Sequence, residues 1–436
     1  MTDLSYTEVF VAGGFPKYTY NPRDSLQLEE RLSEVLHNLC KLVTVTGHTK
    51  SGKTVLVRKI LPNNQAPYFP IWIEGGSIKS EIEFWDQIAC QYELPESIEN
   101  QISSEKTTYL TATLSGEAGL MLAKAASTVE TSSEDKTGTS ERKTRNIGSK
   151  LASLQQLAKM PRPIIIDDFH YISKTLQGEL IRSLKPLIFN GLPVVIIAIP
   201  HHRYDSIKVE REMTSRILPV SIPLWSEEEL KVIADLGFTR LNIRISTEII
   251  KRLTEESIGS PHLMQEFCRA ICRKKGLISK QEIADIQLTS QELEKIFQEI
   301  AENIGRPIFD KLARGPRQRK DRIERLLKNG QIVDIYQLVL RALAHALKHL
   351  EPGLVSLEYE AIRTSIKEVS AEEIPKIQEI ARVLKHMSTI AATDRSSTPV
   401  IEFDEEEKLL HITDPYFAFF LRWGQLDLDQ PIQSKL

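Results

Sequence analysis

An α/β fold with a parallel-sheet core, followed by helical segments and a small helix-and-hairpin domain, is what three features of this 436-residue chain predict. Short apolar runs alternate with helical segments through the first half, as strands buried on both faces of a doubly wound sheet do. A glycine-rich loop lies between one such run and a helical segment. From Ser226 onward the apolar spacing is helical until a hairpin pattern near the C-terminus.

Taken in order, Leu28, Leu32, Val35, Leu36 and Leu39 fall at helical spacing behind Asp24-Ser25, which suits an N-cap. Leu42 to Thr46 reads as a buried strand, and Val55 to Leu61 as a helix stopped by Pro62. Further strands are predicted at Ile71–Ile73, Pro163–Ile166, Val194–Ile199 and Ile217–Ile222. Between the second and third lies a Ser-, Thr- and Gly-rich insertion, whose apolar middle, Leu114 to Ala126, is interrupted by Glu117 and Lys124. A short helix with a flexible tail is expected there. Helices follow at Ser226–Leu236, Ser246–Ser257, Pro261–Lys275 and Ser290–Ile304. After a Gly/Pro/Arg-rich joint at Ala313–Arg319 come Val333–Leu350, Leu357–Val369 and Ile374–Ile390. A hairpin at Pro399–Phe403 and Leu409–Ile412 closes an order that reads as a winged helix. The predicted domains are therefore a core at 1–224 with a flexible insertion at 103–150, a helical lid at 225–286, a helical basic linker at 287–330, the winged helix at 331–424 and a tail at 425–436.

Composition sets the class. Hydrophobic residues at 41% and charged residues at 26% belong to an ordinary globular chain, not a disordered or fibrous one. A net charge of −3 requires any nucleic-acid contact to come from a local basic patch. No apolar stretch approaches the roughly 18 residues of a membrane span, and no signal peptide precedes the first strand. Four cysteines do not make a disulfide framework, and Cys268 and Cys272 read as buried free thiols, so a cytoplasmic location is expected.

The chemistry lies in two segments. Gly47-His48-Thr49-Lys50-Ser51-Gly52-Lys53-Thr54 fits G-x-x-x-x-G-K-[ST], the phosphate-binding loop of ATP sites. Its glycines let backbone N–H groups close around phosphate oxygens, and the helix that follows directs its positive end at the same charge. Lys53 is placed to reach the β- and γ-phosphates and the Thr54 hydroxyl to ligate Mg²⁺. Ile164-Ile165-Ile166-Asp167-Asp168 is a buried strand ending in two acids. Asp167 is assigned to the Mg²⁺ and Asp168 to the attacking water, with capping of the next turn as the alternative for Asp168.

These motifs resemble the AAA+ and STAND branches of P-loop NTPases, closest to origin-recognition initiator ATPases, over about Thr19 to Lys275. Asn21-Pro22-Arg23-Asp24 stands where that group has an adenine-side hydrophobic-Gly-Arg-Glu motif. Asp167-Asp168 resembles the STAND acid pair. The resemblance implies a sensor role for Arg203, in Pro200-His201-His202-Arg203, and an arginine-finger role for Arg216, after Met213-Thr214-Ser215. Both also read as surface arginines beside strands. Gly259-Ser260-Pro261 resembles the STAND Gly-x-Pro motif, placing Pro261 near nucleotide, and it is equally a helix stop and start. His262 stands near the initiators' sensor arginine. ATP, Mg²⁺ and a homo-oligomer are implied.

The partner is open between protein and DNA. Lys311 to Lys328 holds eight basic residues against Asp321 and Glu324, a local charge of +6. The third winged-helix helix carries Lys376, Arg382, Lys385 and His386, yet the hairpin tip is Asp404-Glu405-Glu406-Glu407, which a DNA backbone repels. Three functions fit: a nucleotide-driven switch controlling a partner, which is preferred, an initiator-like ATPase on DNA, or a nucleotide-binding scaffold that scarcely hydrolyses.

Overall fold

The computed structural model describes residues 4–37, 40–62, 66, 68–94, 97–98, 144–145, 148–199, 216–277, 279, 283–316, 322–392 and 399–426. Most of the 103–150 insertion, Arg203, Arg317 and Arg319 lie outside them. The chain forms two compact units. One holds 27–46 and 56–221; the other holds 1–26, 47–55 and 222–436.

The first unit is built on a five-stranded sheet of β1 (Leu42–Gly47), β2 (Ile71–Glu74), β3 (Ile164–Asp167), β4 (Val194–Ala198) and β5 (Ile217–Ile222), in the order β2-β3-β4-β1-β5. The ladders β2–β3, β3–β4 and β4–β1 are parallel. Ile165 pairs with Trp72 on one side and Val195 on the other. Every residue of β1, β3 and β4 is buried, which is why these strands read as unbroken apolar runs and not as alternating ones. Helices α2 (Glu81–Gln91), α3 (Ser149–Lys159) and α4 (Lys174–Phe189) add Phe84, Trp85, Ile88, Leu157, Leu180 and Leu184 to the core of that sheet. After β1, helix α1 (Lys53–Ile60) begins at the loop lysine, two residues earlier than the apolar spacing predicts.

The second unit has a separate apolar core. Helices α5 (Glu227–Arg240), α6 (Thr247–Glu256) and α7 (Pro261–Lys274) are each opened by a serine whose side chain accepts an amide hydrogen: Ser226, Ser246 and Ser260. A short parallel pair, β6 (Ile243–Ile245) and β7 (Ala284–Ile286), lies beside them in sequence. Helix α8 (Ser290–Arg314) runs on through Pro307, well past the predicted end, and stops at Gly315, which takes a positive φ of 58°. A two-residue ladder, β8 (Arg325–Leu326) with β9 (Ile332–Val333), precedes α9 (Ile335–Lys348). Then come β10 (Ser356–Glu358), α10 (Tyr359–Val369), α11 (Ile377–Ala392), β11 (Ile401–Asp404), β12 (Leu409–Ile412) and α12 (Pro415–Trp423). The last three strands form an antiparallel sheet in the order β10-β12-β11. Two further features depart from expectation. The segment behind Asp24-Ser25 is broken into a turn at Asp24–Leu26, a short helix at Leu28–Ser33 and another turn at Glu34–His37. Its N-cap is Gln27, left-handed and without a side-chain cap, because Asp24 and Ser25 are used in the turn. Helix α12 has no counterpart among the helices that the apolar spacing predicts.

Candidate functional site

The loop at 47–54 is shaped for anions by its backbone. Lys50 and Gly52 both take positive φ, 60° and 97°, and left-handed residues alternating with others turn successive N–H groups into one concavity. A side chain at Gly47 would meet the Ile222 carbonyl at 2.7 Å and Ser51 Oγ at 2.8 Å, so the first motif glycine is required by space. The amide of Ser51 donates to the His48 carbonyl at 3.2 Å and closes the turn. Lys53 is buried, and its ammonium donates to the carbonyls of Gly47 at 3.0 Å and His48 at 2.8 Å. The motif lysine therefore folds back over the loop. Loop amides, the start of α1 and this ammonium together fit a polyphosphate.

Side chains distant in sequence hold the loop. Trp225 Nε1 donates to the Ser51 carbonyl at 2.9 Å. Arg23 stacks on the Trp225 ring at 4.8 Å and is almost wholly buried. Its Nε and Nη2 donate to the two carboxylate oxygens of Glu229 at 2.9 and 2.7 Å, and Nη1 and Nη2 to the carbonyls of Pro223 and Leu224 at 3.0 and 3.1 Å. Arg23, expected on the adenine side, thus spends its guanidinium on the protein. The backbone of Trp225 donates to the Gly259 carbonyl at 3.2 Å. Pro261 occupies the first turn of α7, the position where its missing N–H costs nothing.

Lys50 reaches a second anchor. Its ammonium lies 3.4 Å from the centre of the Tyr416 ring. Burial of that end lowers the pKa of Lys50 while the Asp414 carboxylate pulls it back up. The Tyr416 hydroxyl and His262 Nδ1 share a hydrogen bond. Burial, then the charge of Lys50, depress the His262 pKa to about 4, which favours the neutral imidazole beside that ammonium.

The acid strand belongs to the other unit. Asp167 closes β3, is buried, and accepts the Asp168 amide at 3.0 Å. Asp168 is left-handed at φ 51°, and its side chain makes no capping bond to the turn at Phe169–Tyr171. Arg216, just before β5, stacks its guanidinium on Phe189 at 4.6 Å. A strand, β4, separates the acid strand from β1 in the sheet.

The basic run is less free than its charge suggests. Arg322 pairs with Asp334 and also donates to the Pro316 carbonyl at 2.9 Å. Arg325 pairs with Glu379 at 2.7 Å and Lys328 with Glu368 at 3.6 Å. On α11, Lys385 pairs with Glu405 of the hairpin tip at 2.6 Å, and His386 bonds the Tyr336 hydroxyl at 2.7 Å.

Trp225 and Tyr416 escaped sequence reasoning. Tyr416 had a usable signal, because Asp414-Pro415 before an apolar run is an N-cap followed by a first-turn proline. For Trp225 no local pattern marks a contact 174 residues away.

The parallel sheet with a phosphate loop after β1 and an acid at the end of β3 makes this an α/β chain with a P-loop NTPase core. Cdc6p from Pyrobaculum aerophilum is similar over 95% of this chain and 96% of its own, at 14% identity and a TM-score of 0.43. A Walker-type ATPase of Pyrococcus abyssi is similar over 91% and 94%, at 17% identity and a TM-score of 0.47. The ORC2 protein of Aeropyrum pernix is similar over 95% and 96%, at 12% identity and a TM-score of 0.45. No protein-family model and no curated protein matches the chain.

Proposed function

We propose that this protein binds and hydrolyses Mg²⁺–ATP as an AAA+/STAND-type switch, self-associating around nucleotide and controlling a protein partner through its C-terminal, winged-helix-like elements. The observation that carries the reading is the loop itself: left-handed Lys50 and Gly52, a first glycine with no room for a side chain, and the Lys53 ammonium held over the loop carbonyls. In the proposed mechanism the loop amides from His48 to Thr54 and Lys53 bind the β- and γ-phosphates. Thr54 and Asp167 would hold Mg²⁺, which would supply charge neutralisation to the bound phosphates. Asp168 orients the attacking water and accepts its proton. Arg203 and Arg216 stabilise charge developing on the γ-phosphate, Arg216 from a neighbouring copy. Arg23 and Pro261 shape the nucleotide's surroundings through Trp225 and Gly259.

The protein-partner reading is supported by the acidic hairpin. Asp404 Oδ1 accepts the amides of Glu406 and Glu407 at 2.8 and 3.0 Å, which fixes carboxylates at the tip. Lys385 is already committed to that tip. Among the described residues no helix is long and apolar enough to cross a membrane.

The test is calorimetric titration of Lys53→Ala with ATP. A charge-assisted hydrogen bond contributes about 1.5–3 kcal/mol, so a loss of roughly tenfold to more than a hundredfold in affinity is expected. An unchanged affinity removes the assignment.

A further inference from the structure

We infer that helix α12 is a latch on the phosphate loop, with the Tyr416 ring and the Asp414 carboxylate forming a seat that grips Lys50 and that the C-terminal hairpin can move. The inference concerns regulation of the proposed nucleotide site and rests on that reading for its purpose, though not for its test.

Three observations build it. First, the seat is specific: the Lys50 ammonium lies 3.4 Å from the centre of the Tyr416 ring, and the charge of Asp414 acts on the same ammonium. A partly desolvated cation on an aromatic face is worth more than one in open solvent. Second, the seat is rigid. Asp414 Oδ1 accepts the Phe417 amide at 2.9 Å as the N-cap of α12, Tyr416 is tied to His262, and residues 415–421 are all buried. The helix packs along α8 and α9, with Phe420 against Phe309 and Phe419 against Phe297. The seat therefore moves with the helix or not at all. Third, the seat is wired to the exposed hairpin. Only Thr413 and Asp414 separate β12 from α12, and β12 carries the ladder to β11 and its acidic tip. A partner engaging that tip would act on Tyr416 through a lever of two residues.

The gripped residue gives the latch its meaning. Lys50 is the left-handed residue of the phosphate loop that carries a side chain. An ammonium lying on the Tyr416 ring is not available to a phosphate, so release of the seat and engagement of nucleotide compete for one side chain. Trp225 holds the next residue, Ser51, by its carbonyl, so the Lys50 seat is a second and separate anchor of the loop.

Hydrogen exchange of the full-length protein without nucleotide tests this, read by mass spectrometry on the peptide spanning 47–54. Tyr416→Leu removes the aromatic face and should speed loop exchange about tenfold, equivalent to about 1.4 kcal/mol. Tyr416→Phe keeps the face, loses only the hydroxyl to His262, and should exchange within about twofold of wild type. Lys50→Met breaks the contact from the loop side and should match Tyr416→Leu, the double variant adding nothing. Loop exchange unchanged in Lys50→Met, or equally fast in Tyr416→Phe and Tyr416→Leu, overturns the latch. If Tyr416→Leu does not fold, Lys50→Met against Tyr416→Phe decides alone. Because no nucleotide is added, a protein that proves not to bind ATP would still show by its exchange rates whether the seat grips the loop.

Discussion

Replacing Arg23 with Met separates two roles that its motif position leaves confounded. The structure gives this guanidinium four donated hydrogen bonds, two to Glu229 and one each to the carbonyls of Pro223 and Leu224. Its side chain is 3% exposed and that of Glu229 17%. Breaking a buried pair by removing one partner costs about 3–5 kcal/mol, because the other charge is left without compensation. Glu229 keeps the Ser226 amide at 2.9 Å and some access to water, which argues for the lower end, about 3 kcal/mol. In a unit of roughly 250 residues that is a fall in Tm of about 6–12 °C. Left-handed φ at position 23 strains Met as much as Arg, so the backbone contribution cancels. Chemical denaturation followed by circular dichroism measures the loss, and calorimetry on the same sample measures ATP affinity. Arg23→Lys should rescue little, since an ammonium cannot reproduce the fork that grips both carboxylate oxygens. Arg23→Met with wild-type stability and ATP affinity reduced more than tenfold would refute this reasoning and put the guanidinium on the nucleotide.

Asp168→Asn should retain Mg²⁺–ATP binding and slow single-turnover hydrolysis by about 10²-fold or more, as loss of a water-orienting carboxylate does; hydrolysis at the wild-type rate would exclude Asp168 from the chemistry. If Arg216 acts in trans, Arg216→Ala and Lys53→Ala chains, each inactive alone, should regain part of the ATPase rate on mixing, because a mixed interface pairs an intact loop with an intact finger. A monomer by light scattering with ATP analogue bound, and no rescue, would leave Arg216 as a residue stacked on Phe189. His262 gives a pH dependence. With its folded pKa about 4 against an ordinary 6.5, the unfolded chain takes up the proton first, so its contribution is present above about pH 6.5 and is lost as pH falls towards 4. The loss is up to about 3 kcal/mol, and His262→Gln should flatten that part of the stability–pH curve.

What was legible in the sequence was whatever is decided locally. Strands β1, β3 and β4 are buried throughout, so burial alone writes them as apolar runs, and the loop carries its own glycine spacing. Helix starts were readable where a serine caps them, as Ser226 does with Glu229 three residues on. The errors lie where packing overrides a local rule. The helix predicted from Ser290 ends at Ile304, yet α8 continues through Pro307 to Arg314, with Gly305 and Phe309 lying against Phe420 of α12. Asp24-Ser25 reads as a cap, yet Arg23 is pulled onto Glu229 and the chain turns there instead. Arg322 and Arg325 read as part of a phosphate-binding run, yet both face acids across the fold.

The same division runs through the candidate site and says where its control resides. Everything the loop needs to meet phosphate is contributed by eight consecutive residues, so the chemistry is written in one motif. The anchors added to the loop's own turn come from far away: Trp225 is 174 residues from Ser51, and Glu229 is 206 from Arg23, which stacks on that tryptophan. A loop anchored only by its own turn would open and close at its own rate. One whose carbonyl is bound by the segment leading into α5, and whose lysine rests on α12, opens only when those elements let go. Substitutions at Lys53 should therefore weaken binding tenfold or more while leaving the Trp225 and Tyr416 anchors in place, and substitutions at Tyr416 should change how the loop is anchored while leaving every phosphate ligand in place. A protein in which both classes of variant failed alike would have no separable control, and the long-range anchors would be stability alone.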